Sequence, residues 1–123
     1  MCSIPVALGE LYDKYAILQI KSERILDETK LIEVHRELSH LEPLINRFCL
    51  CDTFFQQLKN VNNALWDIED LIRKKEYCKE FDAEFIQLAR SVYIKNDERA
   101  KIKSEINEIL HSEINEIKSY YPY

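Results

Sequence analysis

Three polar residues interrupt an apolar stripe in the last third of the chain. Phe85, Leu88 and Val92 recur at helical spacing, and alternate steps of four and three residues carry that stripe onward. The positions it then reaches are polar: Asn96, Arg99 and Lys103. We call these three residues the polar insert. A helix break at this point is the favoured interpretation, because Asn96 suits the N-cap of a new helix and Asp97 suits its first turn.

The second interpretation of the polar insert is an anion-binding site. A helix N-terminus presents free backbone N–H groups, which bind phosphates and carboxylates. Four side chains would surround such a site: Arg90, Tyr93, Arg99 and Lys103. The two interpretations are compatible, since a break between two helices would itself create the N-terminus.

A charged stripe runs along the first predicted helix, beside its apolar stripe and not opposite it. Its members are Glu10, Asp13, Lys14, Lys21 and Arg24. The stripe is either a solvated flank with ordinary i,i+4 ion pairs or one wall of a cleft. The third predicted helix adds Glu69 and Arg73 near Trp66, and the same two interpretations apply to that pair.

Metal-binding patterns are present but incomplete. Two Glu-x-x-His pairs have the spacing that di-iron helical bundles use: Glu37–His40 and Glu108–His111. The first pair lies one position off the apolar stripe of its helix, so its side chains would point to the flank of the core. We therefore expect no metal or other cofactor. The alternative is Mg²⁺, which acidic i,i+3 pairs such as Glu10–Asp13 could hold for a phosphate-bearing ligand.

Helical periodicity dominates the chain, and no strand-like alternation occurs. The first expected helix runs from Pro5 to about Ile25, and the second starts from a cap at Asp27 or Thr29 and is kinked or ended at Pro43. The third runs from a cap at Asp52 or Thr53 to about Tyr77, and the fourth runs from Asp82 almost to the C-terminus. The third helix has a 3.5-residue apolar period, which predicts coiled-coil-like packing. The expected fold is all-α, an elongated antiparallel bundle or long helical hairpins in a single domain spanning 1–123.

Composition narrows the class of protein. The 123 residues are 46% hydrophobic and 32% charged, with one Gly and three Pro, which predicts a packed core and long helices. The net charge of −5 argues against a nucleic-acid partner. No apolar run approaches the length of a membrane span and the N-terminus lacks signal-peptide features, so we expect a cytoplasmic protein with reduced thiols.

Three segments of the chain resemble a family of small, uncharacterised, all-helical proteins of bacteria and phages. They read LGELYDKYAILQIKSERI, LWDIEDLIRKKE and LARSVYIKNDERAKIKSEIN, in that order. The resemblance covers most of the chain except Lys30–Leu50, and it implies no particular activity. Its segments are the ones that carry the charged stripe and the polar insert.

Two functions are compatible with these patterns, and whether the protein is an enzyme stays open because no catalytic signature occurs. The favoured function is a non-catalytic module that binds a protein partner or self-associates, since 3.5-residue stripes on few helices leave apolar surface for a second copy. The alternative is a site for an anionic small molecule between helices one, three and four. The cations that would hold the anion are Arg24, Arg90, Arg99 and Lys103. The acidic groups that would orient them or bind Mg²⁺ are Asp13, Glu69 and Asp97.

Overall fold

Four α-helices and no strand make up the regular structure of this chain. The structure is a computed structural model and describes residues 1–123. In chain order, helices α1 to α4 span Leu8–Arg24, Glu28–Ile45, Asp52–Tyr77 and Ala83–Ile109. The predicted all-α fold with about four helices is confirmed. None of the helices is both long enough and apolar enough to cross a membrane.

Helix α1 is the central element, because it is the one helix that packs against all three others. Helix α2 packs on α1 alone, while α3 and α4 form a long antiparallel hairpin. The antiparallel register follows from two contacts, Arg99 with Asn62 and Lys75 with Glu84 near the connecting turn.

Local capping signals set two helix starts where the sequence predicted them. The Asp27 carboxylate accepts hydrogen bonds from the backbone N–H groups of Thr29 and Lys30, at 2.9 and 3.1 Å. The Asp82 carboxylate accepts one from the N–H of Phe85 at 2.9 Å. Each bond satisfies a donor that the first helical turn leaves unpaired. Helix α3 differs by one residue, since it begins at Asp52 with Cys51 in the cap position.

Three predicted helix boundaries were wrong. Helix α1 begins at Leu8 and not at Pro5. Pro43, predicted to kink or end α2, lies in its last turn, and α2 ends at Ile45. Helix α4 is continuous from Ala83 to Ile109, so the favoured break at Asn96 is absent. It also stops well before the C-terminus, and residues 112–123, here called the C-terminal segment, contain no helix.

The core is small and lies where α1 crosses the α3–α4 hairpin. One buried cluster consists of Tyr12, Ala16, Leu58, Val61 and Ile106. A second, between α1 and α2, consists of Leu18, Val34 and Leu38. No residue between Leu65 and Lys103 is buried. The outer part of the α3–α4 hairpin, residues 66–95, therefore has no fully enclosed core, and we call it the distal hairpin.

Candidate functional site

The polar insert faces α1 and α3, where its side chains find partners. Arg99 donates one hydrogen bond to the amide oxygen of Asn62, at 3.2 Å, and another to that of Asn96, at 2.8 Å. Asn62 in turn donates to the buried carboxylate of Asp13 at 2.8 Å. A chain of hydrogen bonds thus links three helices, and it satisfies polar groups that would otherwise be costly to bury.

Lys103 is the centre of a second group of charges. Its buried ammonium lies 2.7 Å from Glu10, 3.1 Å from Glu116 and 3.7 Å from Asp13, measured to the carboxylate oxygens. Burial by itself lowers the pKa of Lys103, but the hydrogen bonds to Glu10 and Glu116 and the nearby Asp13 charge outweigh it, so the pKa is raised. Lys103 therefore stays charged and joins α4 to both α1 and the C-terminal segment.

The start of α1 lies directly on the backbone of α4 and holds these charges in register. The N–H of Gly9 donates to the side-chain oxygen of Asn107 at 2.6 Å. A Cβ at Gly9 would lie only 2.4 Å from the carbonyl oxygen of Lys103, so a glycine is required for this approach. The N–H of Leu8 also donates to the hydroxyl of Ser112, at 3.1 Å.

The C-terminal segment is held along the same face of α4. Glu116 accepts from Lys103 and from Lys118, the latter at 2.8 Å. Hydrogen bonds from Lys118 and Lys103 lower the pKa of Glu116 to about 2. At the end of the segment the Tyr123 hydroxyl donates to Asp97, and the Tyr123 ring packs edge to face on Tyr93 at a centroid distance of 5.2 Å.

A cleft of about 930 Å³ lies between α4 and the C-terminal segment. Arg99 and Lys103 line it from α4, and Lys118 lines it from the segment. Its size is within the range of small-molecule sites, which are about 300–1,000 Å³. The cleft therefore has room for an organic ligand and not only for an ion.

The structure gathers seven of the thirteen predicted ligand-binding residues around this cleft or the network beneath it. They are Glu10, Asp13, Tyr93, Asn96, Asp97, Arg99 and Lys103. These side chains come from α1 and α4, two of the three helices that the sequence predicted.

The other six predicted residues lie elsewhere. Lys14 pairs with Glu37 of α2 at 2.7 Å, and Lys21 is half-buried on α1. Glu69 and Arg73 form an exposed i,i+4 pair at 3.2 Å. Arg90 donates to Gln87, one turn away on its own helix, at 3.4 Å.

Arg24, the last residue of α1, contacts a separate group of side chains on α3. It donates to Asp67 at 2.6 Å and to Asn63 at 3.2 Å, and its guanidinium lies 5.8 Å from the centre of the Trp66 ring. The hydrogen bond from Arg24 lowers the pKa of Asp67. Arg24 and Arg90 are thus not brought to the polar insert.

The two Glu-x-x-His pairs do not form a metal centre. Glu37 is engaged by Lys14, and His111 lies beyond the end of α4 in a left-handed conformation with φ of 54°. No three His, Cys, Asp or Glu side chains of the chain form a group that could hold a metal ion. The carboxylates of Glu10 and Asp13, the pair that suggested Mg²⁺, both face Lys103.

Sequence reasoning missed three parts of this site. Asn62 connects Asp13 to Arg99, Asn107 binds Gly9, and Glu116 ties down the C-terminal segment. A signal existed for Asn62, because it lies one turn after Leu58 and beside Val61 on the buried face of α3. Glu116 carried no such signal, since it lies outside any helix.

A family model matches this chain. No curated protein matches the chain, and no solved structure does. The match is to the model of a family of unknown function, DUF6165, and it covers residues 3–122. The predicted resemblance to an uncharacterised family is confirmed, and the occurrence of that family in bacteria and phages stays a prediction. Because the match spans nearly the whole sequence, the chain belongs to DUF6165.

Proposed function

We propose that this protein is a non-catalytic interaction module that self-associates through the distal hairpin. One observation carries the proposal: none of residues 66–95 is buried, although large apolar side chains are present there. Apart from Tyr93, which packs on Tyr123 in the cleft, the exposed ones are Leu71, Tyr77, Phe81, Ile86 and Ile94. Scattered exposed apolar residues are ordinary, but a helical hairpin that carries several of them and encloses no core is typical of an interaction surface.

The packing of two helices explains why this surface needs a partner. Ile68 and Ile72 of α3 and Leu88 and Val92 of α4 are only half-buried along the seam of the distal hairpin. A pair of helices leaves the seam between them open to solvent, whereas four helices surround a core and enclose it. Two distal hairpins packed together would complete a four-helix arrangement.

The total exposed area supports a partner of considerable size. The chain exposes 8876 Å², whereas a compact monomer of this mass is expected to expose about 6,900 Å². The difference of roughly 2,000 Å² includes the terminal segments and the distal hairpin. Stable complexes bury about 1,200–2,000 Å² in total from both partners, so the chain as a whole exposes enough surface for a dimer.

A second copy of this chain is the occupant that the surface fits best. Both signs of charge surround the apolar residues, for example Glu69 and Arg73 on α3. In a two-fold symmetric contact the same patch faces itself, and a patch of mixed charge can then pair its own opposite charges. A strongly one-signed patch would instead repel its copy.

Sedimentation velocity over a wide range of protein concentration tests the proposal. We expect a dimer for the wild type and a monomer for Leu71→Asp and Ile86→Asp, because each places a charge in the apolar contact. Ile32→Asp is the matched control: Ile32 is 60% exposed on α2, outside the hairpin, so the dimer should persist. A wild type that stays monomeric at every concentration, or hairpin variants that still dimerise, would contradict the proposal.

A second candidate function, binding of an anionic small molecule, is favoured by a different observation. Of the four cations predicted to hold an anion, Arg99 alone lines the cleft without a carboxylate partner. Lys103 is engaged by Glu10, Asp13 and Glu116. An arginine held by neutral partners keeps its charge available for a ligand.

A further inference from the structure

We propose that the cleft beneath the C-terminal segment binds a planar aromatic anion, that is, a ring compound carrying a phosphate or carboxylate. This inference rests on the second candidate function and adds to it the class of ligand and the part played by the C-terminal segment. Arg99 holds the anionic group, and tyrosines of α4 and the C-terminal segment contact the ring.

Arg99 is oriented for an anion before any ligand arrives. A guanidinium has five N–H donors, and Arg99 uses two of them, on Asn62 and Asn96. Asn62 is itself fixed, since its amide nitrogen donates to Asp13 and to the carbonyl oxygen of Leu58. The remaining donors of Arg99 are free to form the paired hydrogen bonds that guanidinium groups make with phosphates and carboxylates.

The charges that line the cleft favour an anionic ligand. Three cationic side chains line it, Arg99, Lys103 and Lys118, against one carboxylate, Asp97. That carboxylate already accepts a hydrogen bond from the Tyr123 hydroxyl. Lys103 and Lys118 are paired with carboxylates outside the lining, chiefly Glu116, so Arg99 is the lining cation that stays available to an anionic ligand.

The rest of the lining favours a planar ring. Tyr93, Tyr120, Tyr121 and Tyr123 all line the cleft, and Tyr121 is 94% exposed. Aromatic faces stack on planar rings, and a tyrosine hydroxyl adds a hydrogen bond at the edge. Half of the lining residues are hydrophobic, so an inorganic anion alone would leave most of the cleft unused.

Isothermal titration calorimetry with four anionic probes and one uncharged compound tests the inference. The probes are phenyl phosphate, benzoate, inorganic phosphate and adenosine 5′-monophosphate, with adenosine as an uncharged ring. We expect the ring-bearing anions to bind at least about tenfold more tightly than inorganic phosphate or adenosine, a difference of about 1.4 kcal/mol. The two phosphate esters and benzoate separate a nucleotide, an aryl phosphate and an aryl carboxylate as the source of the chemistry.

Variants separate the inference from the function on which it rests. Arg99→Gln should abolish binding of every anion, whereas Arg90→Gln, an exposed arginine of the same helix that does not line the cleft, should leave it unchanged. Tyr121→Ala should weaken the ring-bearing anions by about tenfold and leave inorganic phosphate unaffected, which is the scale of one stacked ring.

Each outcome has a distinct meaning. If no probe binds, or if binding survives Arg99→Gln, the second candidate function is wrong and the inference fails with it. If anions bind through Arg99 but the ring makes no difference, and Tyr121→Ala has no effect, the function stands and the aromatic ligand class is wrong.

Discussion

Gly9 sets the distance between α1 and α4, and its replacement gives a direct test of that contact. A Cβ there would lie 2.4 Å from the carbonyl oxygen of Lys103, so Gly9→Ala has to move one backbone away from the other. Alanine improves helix propensity by about 1 kcal/mol, but overpacking against backbone costs about 1–3 kcal/mol and the bond to Asn107 is lost as well. We expect a net loss of about 1–2 kcal/mol in the free energy of unfolding, measured by urea denaturation.

Two further variants make this measurement specific. Asn107→Ala removes the 2.6 Å hydrogen bond to Gly9 without any clash, and should cost about 1 kcal/mol. Ser104→Ala, at an exposed position of the same helix, should change stability only slightly. An unaltered stability for Gly9→Ala would show that the two backbones are farther apart than the structure has them.

The buried pair Asp13 and Asn62 provides a second test at the scale of residues. Asn62→Leu leaves the Asp13 carboxylate without the amide donor that lies 2.8 Å away. A buried acceptor without its partner costs about 1–3 kcal/mol, and we expect a loss of about 2 kcal/mol of stability. In a double-mutant cycle with Asp13→Leu, the double variant should lose less than the two single variants together. Strict additivity would mean that this hydrogen bond contributes nothing.

At the scale of elements, the features that the sequence predicts correctly are helix ends and caps that depend on residues close together in the chain. The 3.5-residue stripe of α3 predicted a helix to Tyr77, and α3 ends there. Asp27, one of the two candidate caps of α2, and Asp82, the predicted start of α4, both accept backbone hydrogen bonds. In each case the physical cause lies within one helical turn, so no knowledge of the fold is needed.

Helix α4 was predicted less well because its determinants lie far away in the sequence. Arg99 and its partner Asn62 are separated by 37 residues, and Lys103 and Glu10 by 93. Periodicity identifies a polar residue on a stripe, but it does not show whether a facing helix offers an acceptor. The break predicted at Asn96 was wrong for that reason, and the role of Glu116 in the site had no local signal at all.

The C-terminal segment should detach from α4 in acid. Its tether is Glu116, whose pKa is lowered from 4.5 to about 2 by the hydrogen bonds from Lys118 and Lys103. A folded-state pKa below the unfolded value means that the tether stabilises fully above about pH 4.5 and is lost as the pH falls through about 2. We expect the backbone amide NMR signals of Tyr120 and Tyr121 to move toward their unstructured positions across that range.

The matched control for this titration is Glu116→Gln, which removes the charge and keeps the size of the side chain. In this variant the amide signals should lie near their unstructured positions already at neutral pH, and the step between pH 4.5 and 2 should be absent. The same titration curve in both proteins would mean that Glu116 does not control the segment.

At the scale of the whole molecule, the division of the core explains the division of proposed roles. All buried apolar side chains lie in α1, α2, the part of α3 up to Leu65 and the end of α4, or immediately before α1. This part holds Asp13, Asn62 and Arg99 together, and of the residues that line the cleft only Val92 and Tyr93 belong to the distal hairpin. The distal hairpin has no buried side chain, so its order depends on what packs against it.

Thermal unfolding should therefore depend on protein concentration. If the folded state is a dimer, each tenfold rise in concentration stabilises it by about 1.4 kcal/mol. For two chains of this length, the usual unfolding entropy per residue means that this gain in stability raises the midpoint temperature by roughly 3 °C. The midpoint of Ile32→Asp should rise in the same way, whereas that of Leu71→Asp should be constant, because its distal hairpins no longer pair. A wild-type midpoint that is independent of concentration would mean that the exposed apolar side chains of the distal hairpin stabilise no second copy.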